Sequence, residues 1–398
     1  MLITPLNIDK GINLIYSPII MKFYKKKKKI MIATFDDTYN FAKKFSHYKD
    51  FYIKHNDLIF SKLGLGTFNK EPYKEENYLF HYIEGVKEAV KSGINLIDTA
   101  SNYRYGQSEK EIGIALEELF QEGITKREEL IICSKGGFIQ LEYPFPENPY
   151  TWIQENIINN SLATKDDIEL DQHCMTPDYL EWSCKKSLEN LGVKTIDIYF
   201  LHNPEIQVSK LGYKKFLKKI ETIFRRFEKM VEMRMIKYYG IAVWNGFIDE
   251  STNEHINLED LVDIAIKVGG DNHNFKYIQT PFNMGKTSIY TMPTQKVKGE
   301  ECTLLQAAHR LKIGVISSSS LLQMNLFKKS FKPETGYLLD SKMVLENDIQ
   351  LALQFVRSTP GLISSLFASK VPVHIKKNLE ITKVPATSRA KYDLMYRV

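Results

Sequence analysis

At 398 residues, 43% hydrophobic and 12% aromatic, the chain has the material for a sizeable core and room for one large domain or two. It holds no apolar run near the roughly 18 residues that a membrane span needs, so a soluble, cytoplasmic protein is expected. The formal charge of +6 belongs to the start of the chain: residues 1–30 carry seven lysines and one aspartate, and the other 368 residues hold 47 basic and 47 acidic side chains, so no nucleic-acid partner is expected of the folded part.

The basic tail comes first. Lys25 to Lys29 follow an apolar stretch, the reverse of the order in a secretory signal, and Met31 comes directly after them. Either this is an arm that binds polyanions, or residues 1–30 are untranslated or disordered and the chain starts at Met31. The tail has neither an amphipathic period nor interleaved aromatics, which favours the second reading. Residues 1–58 are accordingly read as an N-terminal extension and 59–398 as the folded domain. Four cysteines without a CxxC pair are expected to be reduced thiols. His173-Cys174 with Cys184 lacks a fourth partner at metal-site spacing, so no metal is expected.

From residue 63 onward, short β-rich apolar runs alternate with helix-length amphipathic segments. Strands are predicted at 63–66, 96–98, 130–135, 197–201, 236–242, 277–280, 314–318 and 362–367. Helices are predicted at 79–92, 109–122, 178–191, 213–233, 258–268, 303–311, 347–357 and 373–382. Apolar strands that are each followed by a helix require parallel pairing through crossovers, and eight such units close into a (β/α)8 TIM barrel. An open doubly wound sheet would announce itself by a glycine-rich turn after its first strand, and Leu63-Gly-Leu-Gly66-Thr67 is too short for that. The connection from 136 to 177 breaks the rhythm and carries Tyr143, Phe145, Tyr150 and Trp152, as expected of a long insertion that covers the barrel mouth.

In a barrel, the carboxyl ends of the strands converge on one site. Asp98 ends the second predicted strand, Tyr103 lies in its loop, Lys135 ends the third and His202 follows the fourth. Separately these are a helix cap, a surface phenol, a snorkelling lysine and a satisfied histidine. Together they suggest a different arrangement: Asp98 holds Lys135 charged, Lys135 lowers the pKa of Tyr103 into the range of a useful acid, and His202 hydrogen-bonds a carbonyl oxygen. No side chain supplies a hydride, so a redox cofactor is implied.

With these residues the chain resembles the aldo-keto reductase superfamily, in particular its branch related to aryl-alcohol dehydrogenases. The resemblance runs from about residue 61 to 382. It rests on Asn95-Leu-Ile-Asp98-Thr-Ala100, Tyr103 with Gly106 and Ser108-Glu109, Ser134-Lys135, Asp197-Ile-Tyr-Phe-Leu-His202-Asn-Pro, Tyr239-Gly-Ile241 and Gln279 with Asn283. It implies an NADPH-dependent enzyme, with NADH as the alternative, that reduces a small-molecule aldehyde or ketone with Tyr103 as proton donor. A cofactor-binding regulatory protein on the same barrel is the competing expectation. It also implies cofactor contacts from Gly66 and Thr67, from Gln279 and Asn245 to the nicotinamide amide, and from Phe282 stacked on its ring. Ser319, Leu321 and Gln323 are expected along the pyrophosphate, and Ser369, Lys370, His374 and Asn378 at the adenosine end. The chain departs from the family pattern at Ala368, where glycine is usual, and at Ser318-Ser-Ser-Leu321, where an aromatic residue is frequent.

Overall fold

A computed structural model of the chain describes residues 31–68, 81–170, 172–328, 338 and 345–396. Eight parallel strands close on themselves: β1 (Leu63–Gly66), β2 (Leu96–Asp98), β3 (Ile131–Gly136), β4 (Ile196–His202), β5 (Ile236–Ala242), β6 (Phe275–Pro281), β7 (Gly314–Ser318) and β8 (Leu362–Ala368), with β8 returning to pair with β1. After each strand comes its helix: α1 (Ile83–Lys91), α2 (Gln107–Gln121), α3 (Pro177–Leu191), α4 (Tyr213–Glu232), α5 (Leu258–Gly269), α6 (Leu304–Arg310), α7 (Asp348–Ser358) and α8 (Pro372–Leu379). The predicted units are all present, and the expected (β/α)8 TIM barrel is the fold.

Local chemistry explains the boundaries. Thr176 accepts the Tyr179 N–H and Pro177 opens α3, which stops at Gly192 in the left-handed region. Thr303 and Gln306 form a reciprocal capping box at α6. In α4, Phe216, Ile220, Ile223, Phe224, Phe227 and Met230 recur at helical spacing and bury one face. Strand alternation divides the core in two: Leu96, Ile131, Cys133, Ile198 and Phe200 fill the barrel, while Ile97, Ile132, Tyr199 and Leu201 pack against the helices.

Residues 31–61 belong to the same compact unit as the barrel; residues 1–30 lie outside the described residues. The reason is packing. A hairpin, Tyr52–His55 with Leu58–Ser61, sends Leu58 and Phe60 into the inner cluster and plugs the amino end of the barrel. Ala33, fully buried, donates its N–H to Asp197 Oδ1 at 2.8 Å.

The 136–177 connection has structure of its own. It holds a helical turn (Pro149–Ile153), a hairpin (Ile168–Glu169 with His173–Cys174) and a small core in which Ile139, Ile153, Ile157 and Cys174 meet Trp152 and Trp182. Trp152 therefore packs within the insertion, and Tyr150 is 65% exposed. Among the described residues no helix is long and apolar enough to cross a membrane.

Candidate active site

The site begins with two adjacent strand ends. β2 and β3 pair in parallel, which sets Asp98 beside Cys133 and brings Lys135, two residues further on, to the same end of the barrel. Lys135 is fully buried, and its Nζ donates to Asp98 Oδ2 at 2.6 Å and to the Thr99 carbonyl at 2.7 Å. The remaining ammonium direction faces the Tyr103 hydroxyl at 3.5 Å. Gln279, from β6 on the far side of the barrel, donates its Nε2 to Asp98 Oδ1 at 2.8 Å. Both carboxylate oxygens are thus engaged. Burial alone would discharge Lys135, but Asp98 and then Tyr103 outweigh it, and the ammonium is held above its ordinary range.

Tyr103 follows β2 on a short turn in which Arg104 and Tyr105 take positive φ before Gly106 opens α2. Such backbone is costly for side-chain-bearing residues and persists where the surroundings dictate it. Buried Arg104 pairs with Glu111 at 2.5 Å, and Tyr105 stands edge-on to Phe145 of the insertion, 4.2 Å between centroids. The sequence reading had Lys135 lowering the Tyr103 pKa. Lys135 does act in that direction, but burial of the phenol outweighs it, Asp98 adds to the rise, and Tyr103 lies above its ordinary value and stays protonated.

His202 ends β4 with its ring edge-on to Tyr103 at 5.8 Å and to Phe138 at 5.0 Å. Burial, then Lys135 and His173, hold the imidazole well below its ordinary pKa, so it is neutral. Its Nδ1 is buried without a hydrogen-bond partner. Phe68 stands edge-on to Tyr103 at 5.1 Å, so Tyr103 and His202 lie between two aromatic rings. The strand ends therefore gather Asp98, Tyr103, Lys135 and His202 into one cluster.

The expected cofactor residues divide into those at the mouth and those held elsewhere. Gly66 ends β1 beside Asp98, and Thr67 donates its N–H to the Asp98 carbonyl at 3.1 Å. Gln279 is occupied by Asp98, and Asn245 by Lys286, whose Nζ reaches its Oδ1 at 2.8 Å. Phe282, expected against the nicotinamide ring, is fully buried and stacked on Phe355 of α7 at 5.5 Å, directly after the end of β6 at Pro281. Ser319, Leu321 and Gln323 lie on the loop after β7, with Ser319 and Gln323 at positive φ, Leu321 half-buried and Gln323 exposed. After β8 come Ser369 and Lys370, then exposed His374 and buried Asn378 on α8. The amino end of α8 has no side-chain cap, and Ser320 Oγ is buried without a partner; both suit an anionic, hydroxyl-rich group.

Several participants were invisible in the sequence. Thr99 acts through its carbonyl, which any residue type supplies. Glu205, in the loop after β4, is buried, accepts the Trp244 N–H at 2.5 Å, and is pushed up to about 7 by burial. His173, which the sequence suggests only as a metal ligand, reaches the His202 carbonyl with Nε2 at 2.8 Å.

Residues 62–268 match the aldo/keto reductase family. Aldose reductase B of Dictyostelium discoideum is 27% identical over 197 residues, 46% of this chain and 50% of that protein. The NADH-specific methylglyoxal reductase of Escherichia coli strain K12 is 29% identical over 149 residues, 37% of this chain and 39% of its own length. The chain thus spans about half or less of the length of these curated relatives. A holo-form aldo-keto reductase structure from Bacillus halodurans superposes with a TM-score of 0.54 at 17% identity, covering 88% of this chain and 96% of that one, a likeness of fold.

Proposed function

The chain belongs to the aldo/keto reductase family, and from that premise we propose that it is an NADPH-dependent oxidoreductase that reduces an aldehyde or ketone to an alcohol. The observation that carries this reading is the fully buried Lys135 ammonium, bonded to Asp98 on one side and facing the Tyr103 hydroxyl at 3.5 Å on the other.

A substrate carbonyl oxygen between Tyr103 and His202 would take the Tyr103 proton as its carbon is reduced. The phenolate left behind is stabilised by Lys135, which Asp98 keeps charged. Neutral His202, with Nδ1 unbonded, is free to carry its single proton on Nε2 and donate it as a hydrogen bond to the same oxygen. NADPH, when bound, supplies the hydride.

Gly66 and Thr67, the loop at Ser319, Leu321 and Gln323, and the segment Ser369, Lys370, His374 and Asn378 are the residues assigned to hold that cofactor, with Lys370 as the cation for a 2′-phosphate. Gln279 and Asn245 are assigned the amide contact, which each would make while also serving its present partner. Phe68 against Tyr103 and Phe138 against His202 flank the two groups, which favours an apolar or aryl carbonyl.

The test is NADPH oxidation followed by absorbance over a panel of aryl, aliphatic and sugar aldehydes, with wild type beside Tyr103→Phe. The wild type is expected to turn over at least one class, and the variant to lose about 10²- to 10⁴-fold in kcat while still binding NADPH. Near-native turnover by the variant would remove Tyr103 as the acid. A wild type that binds NADPH but reduces no carbonyl would fit the regulatory reading instead.

A further inference from the structure

Three polar groups link the insertion to the catalytic histidine in one direction. Lys219, on α4, donates from Nζ to Gln207 Oε1 at 3.2 Å. Gln207 donates from Nε2 to His173 Nδ1 at 3.1 Å. The His173 Nε2 lies 2.8 Å from the main-chain carbonyl of His202. An amide nitrogen only donates and a carbonyl oxygen only accepts, so Nδ1 must be the acceptor and Nε2 must carry the proton. His173 is fully buried and its pKa is lowered to about 4 by burial, which keeps the ring neutral above that pH, while its two hydrogen bonds fix the tautomer.

Two further features tie the link to His202. Phe138 stands edge-on to both imidazoles, 5.2 Å from His173 and 5.0 Å from His202. Gly137, at φ +150, leaves the space the link needs: a Cβ there would lie 2.6 Å from the His202 carbonyl oxygen and 3.1 Å from His173 Nε2. The next residue, Asn203, has positive φ, so the carbonyl that His173 holds belongs to a peptide at an unusual turn.

We propose that His173 is a positioning residue, which through its bond to the His202 carbonyl sets the orientation in which the His202 ring meets the reacting oxygen. The 136–177 insertion thereby becomes part of the catalytic geometry as well as a wall of the pocket. This inference rests on the reductase reading for its kinetic consequence but not for its structural one.

The test compares His173→Phe with His173→Gln, whose amide can present a donor where Nε2 stands. Measurements are kcat and KM for the carbonyl per NADPH-binding site, and the ring resonances of His202 by NMR. His173→Phe is expected to lower kcat about 10- to 100-fold with KM changed by less than about 2-fold, and to shift or split the His202 signals. His173→Gln is expected to restore most of both. Should His173→Phe fail to fold, Gln207→Leu, which removes the donor on Nδ1, is read in the same two ways. Unmoved His202 signals, or moved signals with wild-type kcat, would overturn the proposal. A wild type without carbonyl reductase activity would fail the functional reading alone, and the His202 signals would then decide the structural claim.

Discussion

The two ends of the barrel each bury an ion pair, and the pairs are built differently. At the amino end, Asp197 accepts from Arg127 at 2.7 Å and from the N–H groups of Ala33 and Ile132, both at 2.8 Å. Arg127 also donates to the carbonyls of Leu130 and Thr195. Most of these partners are main chain, so the pair fastens segments far apart in sequence. At the carboxyl end, Lys135 and Asp98 are equally buried, but beside the Thr99 carbonyl their partners are the side chains of Gln279 and Tyr103, and the contact to the phenol is at the limit of hydrogen bonding. A buried charge surrounded by backbone holds a fold together. A buried charge aimed at a titratable side chain is placed to answer a change in that side chain's charge.

Lys135→Met should have the largest effect. It leaves Asp98 a buried carboxylate with only Gln279, at a cost of about 3–5 kcal/mol of stability, and abolishes turnover. Asp98→Asn added to it should recover stability in denaturant titrations without recovering turnover. Asp197→Ala should cost a similar 3–5 kcal/mol, yet leave kcat per folded molecule unchanged; loss of kcat in the folded fraction would erase the contrast between the two ends.

Glu205 offers a smaller test, as a buried carboxyl in the loop after β4 whose pKa is raised by burial. Its folded pKa of about 7 exceeds its ordinary 4.5, so its contribution to stability is present below about pH 4.5 and is lost as pH rises to 7. Glu205→Gln keeps acceptors for the Trp244 and Asn245 N–H groups. The variant should gain up to about 3 kcal/mol at pH 8 and nothing at pH 4, as melting curves at the two pH values would report.

The smallest expected effect is a flat profile. Tyr103 is raised above 10 and His202 lowered below 6.5, so kcat should hold level between those values, falling only as pH rises through the phenol pKa or drops through that of the imidazole. An inflection near pH 6.5 would contradict a neutral His202.

The sequence exposed the parts of this site that depend on residue type at a strand end. Asp98, Lys135 and His202 interrupt apolar runs where a charge or imidazole has no structural reason to be, and barrel topology does the rest. What stayed hidden depends on tertiary distance. The direction of the Tyr103 shift needs the balance between burial and a 3.5 Å contact, which no spacing encodes. Phe282 sits one residue past Pro281, and whether that residue faces the mouth or the helices turns on where β6 ends. The core of the insertion escaped because its elements are short and its apolar residues follow no single period.

The closure of β8 on β1 has a consequence for how the chain reaches this state. Ser365 to Ala368 align with Leu63 to Gly66, about 300 positions apart in sequence. During synthesis β1 is among the first strands made, and its second neighbour is the last. Until residues 362–368 have emerged, the growing sheet has two unpaired edges, which are sites for misassociation with other chains. Final assembly is a long-range event and therefore slow compared with the local βα pairings that precede it.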